Sequence, residues 1–340
     1  MMSRSARVAA AVAAVAGLVG AAGCASGWQR GAAAEVPAAD EVTINAREFG
    51  IHSDPWHVDE WADAVGARPS MVMEFEQWHR DRVIDDHFAE ARRQGLDSFM
   101  VSWEPWEPVS ASLGKAAQYA DQPAYNNAAI VDGERDDYIR AFAESVASSG
   151  LAVYIRYAHE MNGDWYPWSR DPENYVLAWR HIVDIFRAAG ASNATFVFSL
   201  NASIWIDDDE WLEGAEQYWP GDDYVDLVGT TMISFGGRKD YTVAEFAGRL
   251  DLMHETYGKD IIITELNTAA EGRVKWLTDL RTWLAVDAPW VTGVVLSQAE
   301  SRGQIQLGAQ VGDLSWNVTT DPETQPVIRG LIEDLAGGSG

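Results

Sequence analysis

One cysteine, Cys24, is all the thiol chemistry this 340-residue chain contains. A lone thiol has no partner, so disulfide staples and cysteine-based zinc sites are excluded. Basic side chains are also scarce: 25 Lys and Arg stand against 52 Asp and Glu, a formal net charge of −27. Acidity on that scale repels nucleic acid phosphates, so no nucleic acid partner is expected. The first strand–helix turn carries no G-x-G-x-x-G, and no Walker-type phosphate loop occurs anywhere, which weakens any nucleotide-binding reading. H-E-x-x-H is missing and the seven histidines are scattered. No metal and no cofactor are therefore expected, and the acid run DDDE at 207–210 reads as solvated rather than calcium-binding.

Long apolar runs are lacking too, except at the start. There Arg4 and Arg7 precede VAAAVAAVAGLVGAAG, a stretch of small residues too short and too poor in large side chains for a membrane span. It reads as an export signal. The run closes on AAGC, similar to a bacterial lipoprotein cleavage box, which would make Cys24 the acylated first residue of the mature chain. An ordinary secretory signal is the other reading. Acyl chains would anchor the protein to a membrane surface without a spanning helix. Residues 1–23 are thus expected to be a signal, 24–42 a flexible tether, 43–336 one domain and 337–340 a frayed tail, in a monomeric protein outside the cytoplasm.

What is present is a regular alternation. Eight β-prone runs lie at 47–53, 70–78, 96–106, 151–160, 194–203, 223–234, 260–268 and 290–298. Several are continuously apolar, as strands buried on both faces must be. Amphipathic helical stretches separate them, ending at Gly95, Gly150 and Gly190, each a helix stop. Eight such units over nearly 300 residues predict an α/β fold, a single-domain (β/α)8 TIM barrel, with an open doubly wound sheet as the alternative.

Barrel enzymes keep their chemistry where strands meet their following loops. Arg156, His159 and Glu160 close the fourth run in VYIRYAHE, and Glu265 closes the seventh in IIITE. Two glutamates at the ends of two strands of one barrel converge on one cavity. A carboxyl pair flanking a bond is the apparatus of glycoside hydrolysis, one protonated and one ionised. Sixteen Trp is a large number, and indole faces stack on sugar rings as readily as they fill cores. Trp103, Trp106, Trp165, Trp168 and Trp205 all follow strand ends, and two or three of them are expected to be sugar platforms. Asn201 ends the fifth run and could bind a substrate hydroxyl. His159 could orient a carboxylate or simply satisfy a core hydrogen bond.

The stretch GERDDYIRAFAESVASSGLAVYIRYAHEMNGDWYPWS at 133–169 resembles the central signature of glycoside hydrolase family 26. YWPGDDYVDLVG at 218–229 and IIITE are also similar to that family's approach to strand six and to its nucleophile strand. The resemblance runs from about Arg47 to Gln298. It implies a retaining endo-β-glycanase, with Glu160 as acid/base and Glu265 as nucleophile. Arg156, His159, Asn162, Trp165, Trp168, Trp103, Asn201 and Trp205 would serve substrate binding. The best-known members are endo-β-1,4-mannanases, and β-1,3-1,4-glucanases and β-1,3-xylanases also occur. Strand six, VGTTMISFG, departs by lacking the family's usual Tyr, and strand eight, VVLSQAE, lacks a common cleft aromatic; both leave the sugar open. A sugar-binding lipoprotein without catalysis and a transglycosylase are the rival readings.

Overall fold

A computed structural model describes residues 47–109, 120, 122–202, 211–235, 241–298 and 317–337 of the chain. Eight parallel strands close into a barrel in sequence order. They are β1 (Glu48–His52), β2 (Met71–Gln77), β3 (Ser98–Glu104), β4 (Ala152–Tyr157), β5 (Ala194–Asn201), β6 (Leu227–Ser234), β7 (Ile261–Thr268) and β8 (Val291–Leu296). Each falls within one of the eight runs expected from sequence. Cys24, Trp205 and the acid run at 207–210 lie outside the described residues, as do the expected signal and tether.

Helices follow the strands and cover the barrel. The one at Pro172–Ala188 begins with Asp171 accepting from the Asn174 amide and has proline in its first turn. That is a preorganised N-terminus, with the missing proline N–H where it costs nothing. The three helices expected to stop at glycine do so: Gly95, Gly150 and Gly190 take φ of 75°, 70° and 75°.

Period-two alternation sorts each strand's side chains. Val72, Phe99, Val101, Val153, Ile155 and Phe198 point outward into the layer shared with the helices. Met71, Met73, Met100, Tyr154, Val197, Leu227, Ile262 and Val295 point inward and form a separate cluster that fills the lower barrel. Each such side chain contributes about 1.5–3 kcal/mol on burial. One layer above this plug, toward the C-terminal strand ends, the inward positions turn polar.

Candidate active site

Strand β4 places Arg156 directly above Tyr154. Its guanidinium is wholly buried and reaches four other strands. Nη1 donates to Ser102 Oγ of β3 at 3.0 Å, Nε to Ser199 Oγ of β5 at 2.9 Å, and Nη2 to Thr231 Oγ1 of β6 at 3.2 Å. Nη1 also pairs with Glu265 Oε1 of β7 at 2.8 Å. The three hydroxyls satisfy donors without adding negative charge, so Glu265 is the carboxylate that Arg156 pairs with directly.

After Tyr157 the chain leaves the strand through two non-glycine residues at positive φ, Ala158 at 43° and Glu160 at 54°. Such positions cost of order 1–3 kcal/mol and persist only where the surroundings fix them. Here the Ala158 amide donates to Trp103 O at 3.0 Å and the Glu160 amide to Ser199 O at 2.8 Å. The turn directs the Glu160 carboxyl back over the barrel. Oε1 accepts from Thr231 Oγ1, and Oε2 accepts from Trp165 Nε1 at 2.8 Å. The Trp165 indole folds back over Gly163, where an added Cβ would lie 2.4 Å from the ring.

Strict alternation would turn Glu265 outward, because Ile262 and Thr264 already face in. A β-bulge corrects this. Thr230 pairs with Ile263 but Thr231 pairs with Glu265, so Thr264 is an extra residue on β7. The other neighbour shows the same insertion: Ile263 pairs with Val294 and Leu266 with Leu296. Thr264 Oγ1 is absorbed by Thr230 O and Ser199 Oγ, both at 3.0 Å. Glu265 is thereby re-aimed into the mouth, a known use of bulges beside active sites.

Polar atoms of His159, Glu160 and Glu265 all lie within 4.8 Å of one another. One oxygen of each carboxyl therefore lies within 4.8 Å of the other, an approach that suits the close pair of a retaining glycosidase better than the wider gap that admits a water between the groups. The same trio could hold a metal ion, but Arg156 already supplies a positive charge at Glu265. Burial, and then the charge of Glu265, push the Glu160 carboxyl up, against Arg156, Thr231 and Asn201, which hold it down. Burial and the nearby Arg156 hold His159 well below the usual histidine range, so it is neutral.

Several expectations change. Trp103 is not a sugar platform: it faces outward, is fully buried, and stacks on Phe142 at 4.7 Å. Arg156, with no exposed surface, holds Glu265 in place of contacting a sugar. Trp168 is 3% exposed, stacks on Tyr166 at 4.3 Å and donates to His159 O at 2.8 Å, so it braces the loop. Asn162 locks two loops together, donating to Asn201 O at 3.0 Å and accepting from the Asn201 amide at 2.9 Å. Asn201 in turn hydrogen-bonds the Glu160 side chain. His159 Nε2 bonds the Tyr166 hydroxyl at 3.0 Å and no carboxylate.

Three residues escaped sequence reasoning. Thr231 is one more inward β6 residue until a carboxyl is known to sit opposite it. Tyr166, between Trp165 and Trp168, lies close enough to feel Glu104, Glu160 and Glu265. Its place inside the tryptophan cluster was the available signal. Glu104 is a third carboxyl at the mouth. Oε2 accepts from Gln77 Nε2 at 2.7 Å and Trp106 Nε1 at 3.1 Å. Burial pushes its pKa up to about 7, with Arg156 opposing and Glu265 assisting. Its position as the last residue of β3, a carboxyl at a strand end, could have flagged it.

Comparison with known proteins converges on one group. The sequence model described as glycosyl hydrolase family 26 matches residues 101–274. Endoglucanase H of Acetivibrio thermocellus is 29% identical over 289 residues, 81% of this chain and 29% of that protein. Mannan endo-1,4-beta-mannosidase A and B of Caldalkalibacillus mannanilyticus is 30% identical over 231 residues, 57% of this chain and 42% of that protein. The chain thus spans less than half the length of each of these two curated relatives. Among solved structures, a GH26 beta-mannanase from Bacteroides ovatus superposes with a TM-score of 0.56 at 18% identity, covering 86% of this chain and 89% of that one. At that identity the likeness speaks for the barrel alone.

Proposed function

The chain belongs to glycosyl hydrolase family 26, and we propose that it is a retaining endo-β-glycanase in which Glu265 is the nucleophile and Glu160 the acid/base. The observation that carries this reading is the approach of an oxygen of each carboxyl to within 4.8 Å of the other, with Arg156 paired directly to Glu265. Glu265 Oε attacks the anomeric carbon as the glycosidic C–O bond breaks, and the Glu160 proton passes to the departing oxygen. A glycosyl ester on Glu265 removes the negative charge that helps keep Glu160 protonated. Glu160 becomes the stronger acid at that moment and remains the base that deprotonates the incoming water. Water then cleaves the ester, the proton returns to Glu160, and the anomeric configuration is retained.

The proposed substrate is a β-1,4-linked mannan. A β-glucan is the second reading, favoured by the wider alignment with endoglucanase H than with the mannosidase. Digestion of mannan, glucomannan, mixed-linkage β-glucan and β-1,3-xylan, with sizing of the products, separates these sugars and separates endo from exo action. Proton NMR of the first-formed product tests the stereochemistry: the β-anomer is expected, and an initial α-anomer would refute the double displacement. Binding to these glycans with no new reducing ends would refute the enzyme. We further propose that Cys24 carries a lipid anchor outside the cytoplasm. Metabolic labelling with a fatty acid, lost in Cys24→Ser, is the expected result.

A further inference from the structure

We infer that Glu104 is a substrate-binding carboxyl of this site, taking through Oε1 one hydroxyl of the hexose held beside Glu265. It rests on the proposed glycoside cleavage between Glu160 and Glu265 and adds a determinant of which sugar is accepted there. Glu104 shares the inward parity of Met100 and Ser102 on β3 and is 3% exposed. A side chain so placed is not a solvated surface acid. Nor is it a structural ion-pair partner, because Arg156 donates to Ser102, Ser199 and Thr231 and pairs with Glu265.

Its hydrogen bonding is one-sided. Both donors, Gln77 Nε2 and Trp106 Nε1, converge on Oε2. Oε1 accepts nothing from any described residue and is not among the sealed, unpartnered polar atoms. Buried carboxyl oxygens are normally satisfied. The two donors come from different elements, the end of β2 and the loop after β3, and fix the carboxyl plane. The Trp106 indole is itself held edge-on by Tyr166 at 5.5 Å and Trp168 at 5.7 Å. The result is a rigid, dry carboxyl with one oxygen turned to the cavity. Its partial protonation near neutrality suits a sugar hydroxyl, which can both donate and accept.

The test is a coupling between this residue and one hydroxyl. Purified wild type, Glu104→Gln and Trp106→Phe are assayed on 2,4-dinitrophenyl β-disaccharides with a gluco or manno unit at the cleaved bond, and on their 2-, 3- and 6-deoxy analogues at that unit. Glu104→Gln is expected to lower kcat/KM on a parent substrate about 10–100-fold, the range of one hydrogen bond to a charged group. On one deoxy analogue it should lower it less than about threefold, because the partner hydroxyl is already gone. Trp106→Phe, which frees the carboxyl on one side, should give a smaller loss with the same deoxy selectivity. An equal loss on parents and all analogues means a general structural effect and overturns the inference, as does no loss at all. Glu265→Gln, run in parallel, separates the two levels. If it is inactive while Glu104→Gln behaves as wild type, only the Glu104 assignment falls. If Glu265→Gln is as active as wild type, the cleavage reading falls and takes this one with it.

Discussion

The lower and upper halves of the barrel interior are built from the same strands two residues apart, and they are opposites. Tyr154 and Arg156, Met100 and Ser102, Val197 and Ser199, Ile262 and Thr264 are consecutive inward positions on β4, β3, β5 and β7. Below, the residues make an apolar plug whose value is dispersion and lost water contact. Above, three carboxyls share the mouth with one guanidinium, two left-handed non-glycine residues and a bulge. The lower layer stabilises the fold; the upper layer costs stability and holds the chemistry. Substitutions in the two layers should therefore separate activity from stability.

The largest separation is expected at the carboxyls. Glu160→Gln should lower turnover of natural glycan by about 10²–10⁴-fold, the usual worth of a general acid/base, and Glu265→Gln by more. The melting temperature of Glu160→Gln should not fall, whereas Glu265→Gln, which leaves the buried Arg156 guanidinium without its counter-charge, should remain folded but melt lower. Reducing-end assays beside circular dichroism melts check this, and near-normal turnover by either variant would remove that residue from the reaction. Azide added to Glu265→Gly should yield a glycosyl azide of inverted configuration, which identifies the nucleophile.

Arg156→Met breaks the comparison in the other direction, because this upper-layer residue supports the fold as well as the site. It strips Glu265 of its cation and leaves three hydroxyls without their donor. Loss of one member of a buried pair costs about 3–5 kcal/mol. Urea titration should register that cost, together with loss of activity. Met71→Ala marks the pure lower-layer case: about 2–5 kcal/mol lost through the cavity, with kcat per folded molecule unchanged.

The two halves also differ in how far the sequence disclosed them. All eight strands were legible, because apolar runs and glycine stops report directly on burial and helix ends. So were Glu160 and Glu265, as strand-end carboxyls. The direction of Glu265 was not: alternation turns it outward, and only pairing with both neighbours reveals Thr264 as the inserted residue. Trp103 misled for the same reason, since a strand-end tryptophan gives no hint of its face until the register is known. Thr231 was invisible because a hydroxyl's meaning depends on what lies across the barrel.

The smallest expected effect sharpens the claim that the upper half costs stability. Glu104 has a folded pKa of about 7 against a reference of 4.5. Below about pH 4.5 both the folded and unfolded chains carry the proton, and the residue's contribution is at its most favourable. As pH rises toward 7 the unfolded chain has released it and the native chain has not, so unfolding releases a proton and stability falls. Above 7 the native carboxyl ionises in a dry site and the full cost is present. Glu104→Gln keeps the shape and an acceptor for Gln77 and Trp106 but cannot ionise. Its stability relative to wild type should therefore grow between pH 4.5 and 7.5 by roughly 1–3 kcal/mol, at about 1.4 kcal/mol per pKa unit. Glu160 titrates in both proteins, so the difference curve isolates Glu104. Urea midpoints taken across this range would show it, and a flat difference would mean that the third carboxyl is solvated and that the cost lies with Glu160 alone.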